Sequence, residues 1–296
     1  MLRLDFAVAD LALPRHADLT RRASVSGVQD KVQLKRTGRR FLLVESGGDY
    51  ILKPVPPHSP ARLSADIPAN EALTMDIAAD VFGIRTAEHA LVELADGSYG
   101  YLTKRFDFRN GMKIRQEDFC QLANRSEETH GQNYKYDASY EELAGLVRRF
   151  CPSAAIENPK VFFLILFNYV FANGDAHLKN FSLHESPQSD YILTPAYDLL
   201  NTAIHFPNEP TATGLDFFAD GRFTPRYEGL GFYSSADFFE LAKAFGVPPD
   251  DVRQMLDIFS ERRDKVEAAI ADSRLSSEAK ELYRAKFIDR LRAIAQ

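Results

Sequence analysis

The chain has 296 residues, 45% hydrophobic and 26% charged, enough for one large or two ordinary domains with their own cores. Its formal net charge of −6 argues against a dedicated, whole-surface nucleic-acid binder. The two cysteines, Cys120 and Cys151, lack metal-ligand spacing, so buried, reduced thiols in a cytosolic protein are expected.

The N-terminal stretch "MLRLDFAVADLALPRH" has no apolar run long enough for a signal peptide. "KVQLKR" (31–36), "RFLLVE" (40–45) and "DYILKP" (49–54) are rich in β-branched or aromatic residues and separated by turn signals, and read as strands. "PANEALTMDIAADVFG" (68–83), with Pro near its start and Gly at its end, reads as an amphipathic helix. "TAEHALVEL" and "SYGYLTKRFDF" flank an "ADGS" turn as two further strands. These elements predict a β-rich N-lobe over residues 1–110 and a mainly helical C-lobe over 111–296, an α+β arrangement with a cleft between the lobes.

In the second part, "QEDFCQLANR", "SYEELAGLVRRF" and "PKVFFLILFNYVFAN" have helical length and mostly helical periodicity. The most apolar segment, 161–172, is interrupted by Asn168 and too short to cross a bilayer, so a buried core helix ended by Gly174 is expected, with no membrane role. "KNFSLHE" and "YILTPAYDLL" predict a strand pair. Residues 203–234 resist assignment, and "SADFFELAKAFG", "PDDVRQMLDIFSERRDKVEAAIA" and "SSEAKELYRAKFIDRLRAIA" predict amphipathic helices.

Chemistry concentrates in "FANGDAHLKNFS" (171–182). Asp175 and Asn180 have the D-x-x-x-x-N spacing of a phosphoryl-transfer loop, in which the Asp accepts the attacking hydroxyl's proton and the Asn holds a metal ion. "TPAYDLLNT" supplies a second metal carboxylate, Asp198. Taken singly, these residues also suit turns and a helix N-cap; together, in order and after an apolar helix, they favour a kinase-like site. Such a site needs a strand lysine for the α/β-phosphates and a helix glutamate to orient it. Lys53 in "DYILKP" and Glu71 in the following helix meet that demand. The upstream "RRASVSGVQDK" has one glycine, Gly27, and fails the glycine-rich G-x-G-x-x-G pattern.

"SVSGVQDK", "YILKP", "NEALTMDIA", "TKRFD", "QEDFCQL", "NGDAHLKNFS" and "LTPAYDLLNT", in that order, resemble the HipA family of bacterial toxin serine/threonine kinases over residues 22–202. The resemblance implies a two-lobed, protein-kinase-like fold, ATP and Mg²⁺ as cofactors, and an aminoacyl-tRNA synthetase as target. It also implies a helix-turn-helix antitoxin of the HipB type, with any DNA contact made through that partner. Position by position, Asp175 corresponds to the catalytic base, Asn180 and Asp198 to Mg²⁺ ligands, and Lys53 to the ATP-phosphate lysine. Ser26, Gly27, Val28, Gln29, Asp30 and Lys31 match the phosphate-covering loop, and Lys104, Arg105 and Phe106 the hinge that meets adenine through backbone groups. His177, Leu178 and Lys179 fall in the second ATP-contacting stretch, and Tyr197 sits beside the metal Asp. Ser24 aligns with the serine these kinases phosphorylate on themselves. With only 23 residues before Ser24, and an S-x-S pair at Ser24 and Ser26, the chain is most similar to the short HipT kinases of three-gene systems. There a separate small protein, HipS, resembles the missing N-terminal subdomain. Phosphate on Ser24 or Ser26 would add about −1.5 to −2 charges beside the ATP phosphates, so self-inactivation by autophosphorylation is expected.

Two other readings share features of the motif. A small-molecule phosphotransferase of the aminoglycoside or choline kinase type also carries G-D-x-H-x-x-N and a later metal Asp; the "SVSGVQDK" loop and the "LKNFS" ending favour the protein kinase. A catalytically dead binding module ranks last, because every demanded residue is present.

Overall fold

The computed structural model of the chain describes residues 2–11, 31–56, 59–109, 111–207 and 212–296. The five strands expected in the first part form, as β2 (Val32–Thr37), β3 (Arg40–Val44), β4 (Tyr50–Pro54), β5 (His89–Glu93) and β6 (Tyr99–Lys104). With β1 (Leu2–Arg3), too short to carry a sequence signal, they make a six-stranded sheet in the order β1-β5-β6-β4-β2-β3. Only the β1–β5 pair is parallel.

The pleat decides which way Lys53 points. Leu52 pairs with Leu102 and Lys53 with Tyr101 across the β4–β6 ladder, and facing partners share a side. Leu52 and Leu102 join Leu4, Leu34 and Val92 in a small core on one face of the sheet. Lys53 and Tyr101 therefore lie on the other face, over α1 (Ile67–Asp76). That helix continues through a wider π turn at Ile77–Val81, so the helix read from the sequence is two windings in series.

The remaining helices build one large core. At its centre is α5 (Ala154–Val170), which starts earlier than the sequence pattern indicates and holds Pro159 inside it, at the cost of one intrahelical hydrogen bond. Around it pack α4 (Tyr140–Phe150), α7 (Ser235–Phe245) and α10 (Ser277–Ile294). Phe171, fully buried, meets Phe167 at 4.3 Å, Phe287 at 5.2 Å and Phe82 at 5.7 Å between ring centroids.

Three expectations are corrected. Past the short pair β7 (Phe108–Arg109) and β8 (Met112–Lys113), "QEDFCQLANR" is not one helix: Gln116–Asp118 form β9, and only Phe119–Leu122 are helical (α2), capped by Asp118 through Gln121 N–H and followed by the one-turn α3 (Glu127–His130). The sheet claims the first three residues because β9 pairs with β10 (Ser182–Glu185), which pairs in turn with β11 (Tyr191–Leu193). "PDDVRQMLDIFSERRDKVEAAIA" breaks at Arg262 into α8 (Pro249–Glu261) and α9 (Arg263–Asp272). The apolar helix ends not at Gly174 but at Val170, and Ala172 takes the left-handed conformation there (φ 52°). Such a residue without glycine's freedom carries strain of about 1–2 kcal/mol that the surrounding packing must hold.

The helical part is fastened to α1. Thr74 Oγ1 and Tyr283 OH lie 2.8 Å apart, Asn70 Nδ2 donates to Asn201 O at 2.9 Å, and Asn201 N–H donates back to Asn70 Oδ1 at 3.0 Å. Asp66, just before the helix, accepts from Ser276 N–H at 2.6 Å and Oγ at 2.8 Å. No described helix is long and apolar enough to cross a membrane.

Candidate active site

Lys53 is the junction of the site. Its Nζ donates to Glu71 Oε1 at 2.6 Å and also contacts Asp198 Oδ1, tying β4, α1 and the segment after β11 together. Burial alone would lower the Lys53 ammonium, but the carboxylates of Asp198 and Glu71 outweigh it and raise it. Burial pushes the Glu71 carboxyl up to about 7 against the pull of Lys53. Its Oε2 meets no hydrogen-bond donor among the described residues. For Asp198 the balance goes the other way: burial opposes ionisation, and Lys53 holds the carboxyl below its ordinary value.

Asp198 is held by geometry as well as charge. Its backbone is left-handed (φ 56°), its carbonyl accepts from Asn173 Nδ2 at 3.3 Å, and Asn180 Nδ2 lies 3.3 Å from its Oδ2. Asn180 Oδ1 accepts from His177 N–H at 3.1 Å, closing the single 3₁₀ turn Leu178–Asn180. Asp175 lies in the same loop and is 6% exposed. Its N–H donates to Asn173 Oδ1 at 3.2 Å, and Gly174 N–H donates to Thr202 Oγ1 at 2.8 Å. His177 Nε2 is 3.9 Å from Asp175 Oδ1, and burial pushes the imidazole down to about 4, so the ring is neutral at neutral pH.

A cavity of about 530 Å³ opens beside this cluster, lined by Lys31, Val32, Ile51, Lys53, Phe106, Tyr197 and Asp198 among others. Phe106 and Tyr197 face one another at 5.5 Å between ring centroids. Tyr197 is fixed through its hydroxyl, which donates to Lys179 O at 2.7 Å and lies 2.5 Å from Ser182 Oγ.

The structure brings Lys53, Glu71, Asp175, Asn180, Tyr197 and Asp198 together. Lys31, Lys104, Arg105 and Phe106 also border the cavity. The side chains of three residues read as cofactor-binding turn to other partners, Arg105 Nη2 to Asp107 Oδ2 at 2.6 Å among them. Lys179 Nζ pairs with Asp118 Oδ2 at 2.6 Å, and Lys104 Nζ with Glu88 Oε1 at 2.8 Å. The N–H groups of Lys104 and Arg105 are also engaged, by Glu88 O at 2.8 Å and Asp49 O at 2.9 Å. Leu178 is fully buried, so its side chain belongs to the core. Ser24, Ser26, Gly27, Val28, Gln29 and Asp30 lie outside the described residues.

Several residues around the loop carried no sequence signal. Tyr136 OH donates to Asp175 Oδ1 at 2.5 Å, Tyr140 OH donates to Ala176 O at 3.0 Å, and Leu178 N–H donates to Lys135 O at 3.2 Å. Gly214 presses on the loop from the other side: a Cβ there would lie 2.4 Å from the carbonyl carbon of Ala176. These residues come from distant stretches, and only the tertiary fold brings them to the loop.

Residues 23–270 match the HipA-like C-terminal domain family. A protein of Haemophilus influenzae named as a candidate kinase is 28% identical over 270 residues, 84% of this chain and 75% of that one. The serine/threonine-protein kinase toxin HipA of Shewanella oneidensis is 28% identical over 239 residues, and the match spans 52% of its length. The solved structure of the Shewanella HipA in a complex with HipB and operator DNA superposes with a TM-score of 0.73 at 22% identity, covering 97% of this chain and 69% of that one. The Helicobacter pylori proinflammatory kinase CtkA superposes with a TM-score of 0.57 at 14% identity, covering 93% and 94%. With the fold shared and most of its length matched, the chain belongs to the HipA-like C-terminal domain family.

Proposed function

We propose that this chain is an ATP-dependent serine/threonine protein kinase of the HipA type. The observation that carries the reading is Lys53 held between Glu71 and Asp198, with Asn180 and Asp175 on the adjoining loop. These are the parts of a phosphoryl-transfer site in their working order.

The residues present fit ATP and a divalent cation. The cavity has the size a nucleotide needs, is lined by Phe106 and Tyr197, and takes in Lys53, whose charge Asp198 and Glu71 secure. Among the described residues no group of three or more His, Cys, Asp and Glu side chains gathers as a metal cage. One carboxylate and one amide are nonetheless the usual protein share of a Mg²⁺ site completed by phosphates and water. Asp198 and Asn180 would hold the ion, which supplies charge neutralisation at the phosphates when bound. Lys53 would hold the α/β-phosphates, and Glu71, 2.6 Å from its Nζ, keeps the lysine aimed. By the resemblance Ser26 to Lys31 would cover the phosphates, while Phe106 and Tyr197 line the cavity together with Lys53. Asp175 takes the proton of the acceptor hydroxyl as its oxygen attacks the γ-phosphorus and ADP leaves.

In the finer reading the chain is the toxin of a HipBST-like system in the cytoplasm. It phosphorylates an aminoacyl-tRNA synthetase to block translation and is restrained by HipB-like and HipS-like partners and by autophosphorylation on Ser24 or Ser26. The likeness to a HipA captured with HipB and DNA supports the antitoxin partnership, and the S-x-S pair motivates the autophosphorylation.

The test is incubation with ATP and Mg²⁺, read by intact mass, beside a phosphoproteome comparison with and without expression. Wild type should gain phosphate, add it to a cellular protein, and lose both abilities as Asp175→Asn. An inert wild type, or equal transfer by Asp175→Asn, would refute the reading.

A further inference from the structure

A general base must present one oxygen to the proton it removes, within about 3 Å and in a defined direction. For aspartate that direction is not set by the backbone or by χ1, because χ2 turns about an sp³–sp² bond with a broad, two-fold profile. Something else must fix the plane of the Asp175 carboxylate.

His177 does not supply that hold. Its Nε2 stands 3.9 Å from Oδ1, beyond hydrogen-bond reach. Tyr136 stands at the right place: its hydroxyl donates to Asp175 Oδ1 at 2.5 Å. The phenol is itself firmly mounted. Tyr136 N–H donates to Asn133 O at 2.8 Å, its carbonyl accepts from Ala138 N–H at 2.9 Å, and its neighbour's carbonyl, Lys135 O, accepts from Leu178 N–H. The ring meets that of His177 edge to face at 5.1 Å, and Lys135 Nζ lies 4.9 Å from its centroid. Tyr140, just downstream, anchors the same segment by its bond to Ala176 O. Residues 135–140 are thus stitched to Asp175, Ala176 and Leu178, along the catalytic loop itself.

Resting on the kinase reading above, we propose that Tyr136 is a positioning residue for phosphoryl transfer. Its hydroxyl sets the orientation of the Asp175 carboxylate, so that the acceptor's proton has a fixed oxygen to go to. A carboxylate has two oxygens and about four lone-pair sites, so the bond to Oδ1 is compatible with service as a proton acceptor. The rival role, a placeholder that occupies the acceptor's seat and leaves when substrate arrives, fits poorly with so many attachments on the segment.

The variant is Tyr136→Phe, which keeps the ring on His177 and removes only the hydroxyl. Phosphoryl transfer is followed as mass gain of the chain and as ADP released from ATP, with a fluorescent ADP analogue reporting nucleotide affinity. The expected result is a fall in kcat of about tenfold or more, with nucleotide affinity and melting temperature close to wild type. Since Tyr136 acts through Asp175, the same substitution should cause no further fall in an Asp175→Asn background, measured at high enzyme concentration. An unchanged kcat overturns the proposal, as does an equal fractional loss in both backgrounds, or a loss that follows affinity or melting temperature. A faster Tyr136→Phe enzyme would establish the placeholder role instead. An inert wild type would remove the kinase reading and this inference with it, whereas an active wild type matched by Tyr136→Phe removes the inference alone.

Discussion

On the proposed kinase reading, the packing of Gly214 against the loop that carries Asp175 gives a sharp test of how closely that loop must be held. In Gly214→Ala the new Cβ would sit 2.4 Å from Ala176 C, 2.5 Å from its O and 2.6 Å from its N. Carbon atoms in contact prefer about 3.5–4.0 Å, so one backbone or the other must yield by about 1 Å. Neither obstacle is the end of a flexible side chain. Ala176 is held by the Tyr140 bond, and Gly214 by a segment in which Asp216 O accepts from Tyr140 N–H at 2.8 Å. Overpacking of this kind costs about 1–3 kcal/mol in stability. The larger effect falls on rate: Asp175 is the residue next to Ala176, and a displacement of about 1 Å at a reacting group can cost on the order of 100-fold. The measurement is kcat for ATP-dependent phosphoryl transfer, beside the melting temperature. Gly229→Ala serves as the control, because the methyl it adds would have no atom within 4 Å and the residue belongs to α6 (Pro225–Leu230); it should be neutral or stabilising by up to about 1 kcal/mol. A Gly214→Ala enzyme with kcat within about threefold of wild type would refute the claim that this contact sets the loop's position.

Thr202→Val keeps shape but removes the acceptor of Gly174 N–H; it should cost about 1–3 kcal/mol by chemical denaturation and lower kcat, and a silent variant would mean the bond holds nothing. Phe171→Ala empties the centre of the aromatic cluster and should cost about 3–5 kcal/mol, read as a lower denaturation midpoint. Burial pushes His177 down to about 4 in the folded state, so the unfolded chain takes up the proton first as pH falls below about 6.5. Stability contributed by the neutral ring is complete above that pH and declines toward pH 4, by about 2 kcal/mol between pH 6.5 and 5. His184 and His205 are shifted the same way by burial, so the His177 share is the difference between wild type and His177→Gln. Equal slopes in the two proteins would contradict it.

The strands and long helices were legible because each writes its own period into contiguous residues. Lys53, Asp175, Asn180 and Asp198, the residues of the proposed site, could be picked out for a related reason: they lie in short stretches, a strand, a loop and the segment after β11, whose order phosphoryl transfer would constrain. What lay hidden was everything contributed across the fold. Tyr136 touches a residue 39 positions away and Gly214 presses on one 38 positions away, and neither contact leaves a local pattern. The apolar helix ended before Gly174, its expected end; Ala172 carries the left-handed turn, and Gly174 N–H donates to Thr202 Oγ1. Gln116–Asp118 became a strand against their helix-like setting because β10 offered a partner, an instance of tertiary context overriding local preference. Lys179 keeps the spacing of an ATP-contacting residue, yet Asp118 holds its amino group.

In many protein kinases the helix bearing the lysine's glutamate partner is a control point, and activity follows its position. Here that helix is nailed down along its length, at Asp66 by Ser276, at Asn70 by Asn201 and at Thr74 by Tyr283. Swinging it outward would strand those buried groups, each at about 1–3 kcal/mol. The lever that other kinases pull is therefore welded in the engaged position. On the kinase reading, a protein built this way folds with its lysine already engaged by its glutamate, and control by swinging that helix is closed to it.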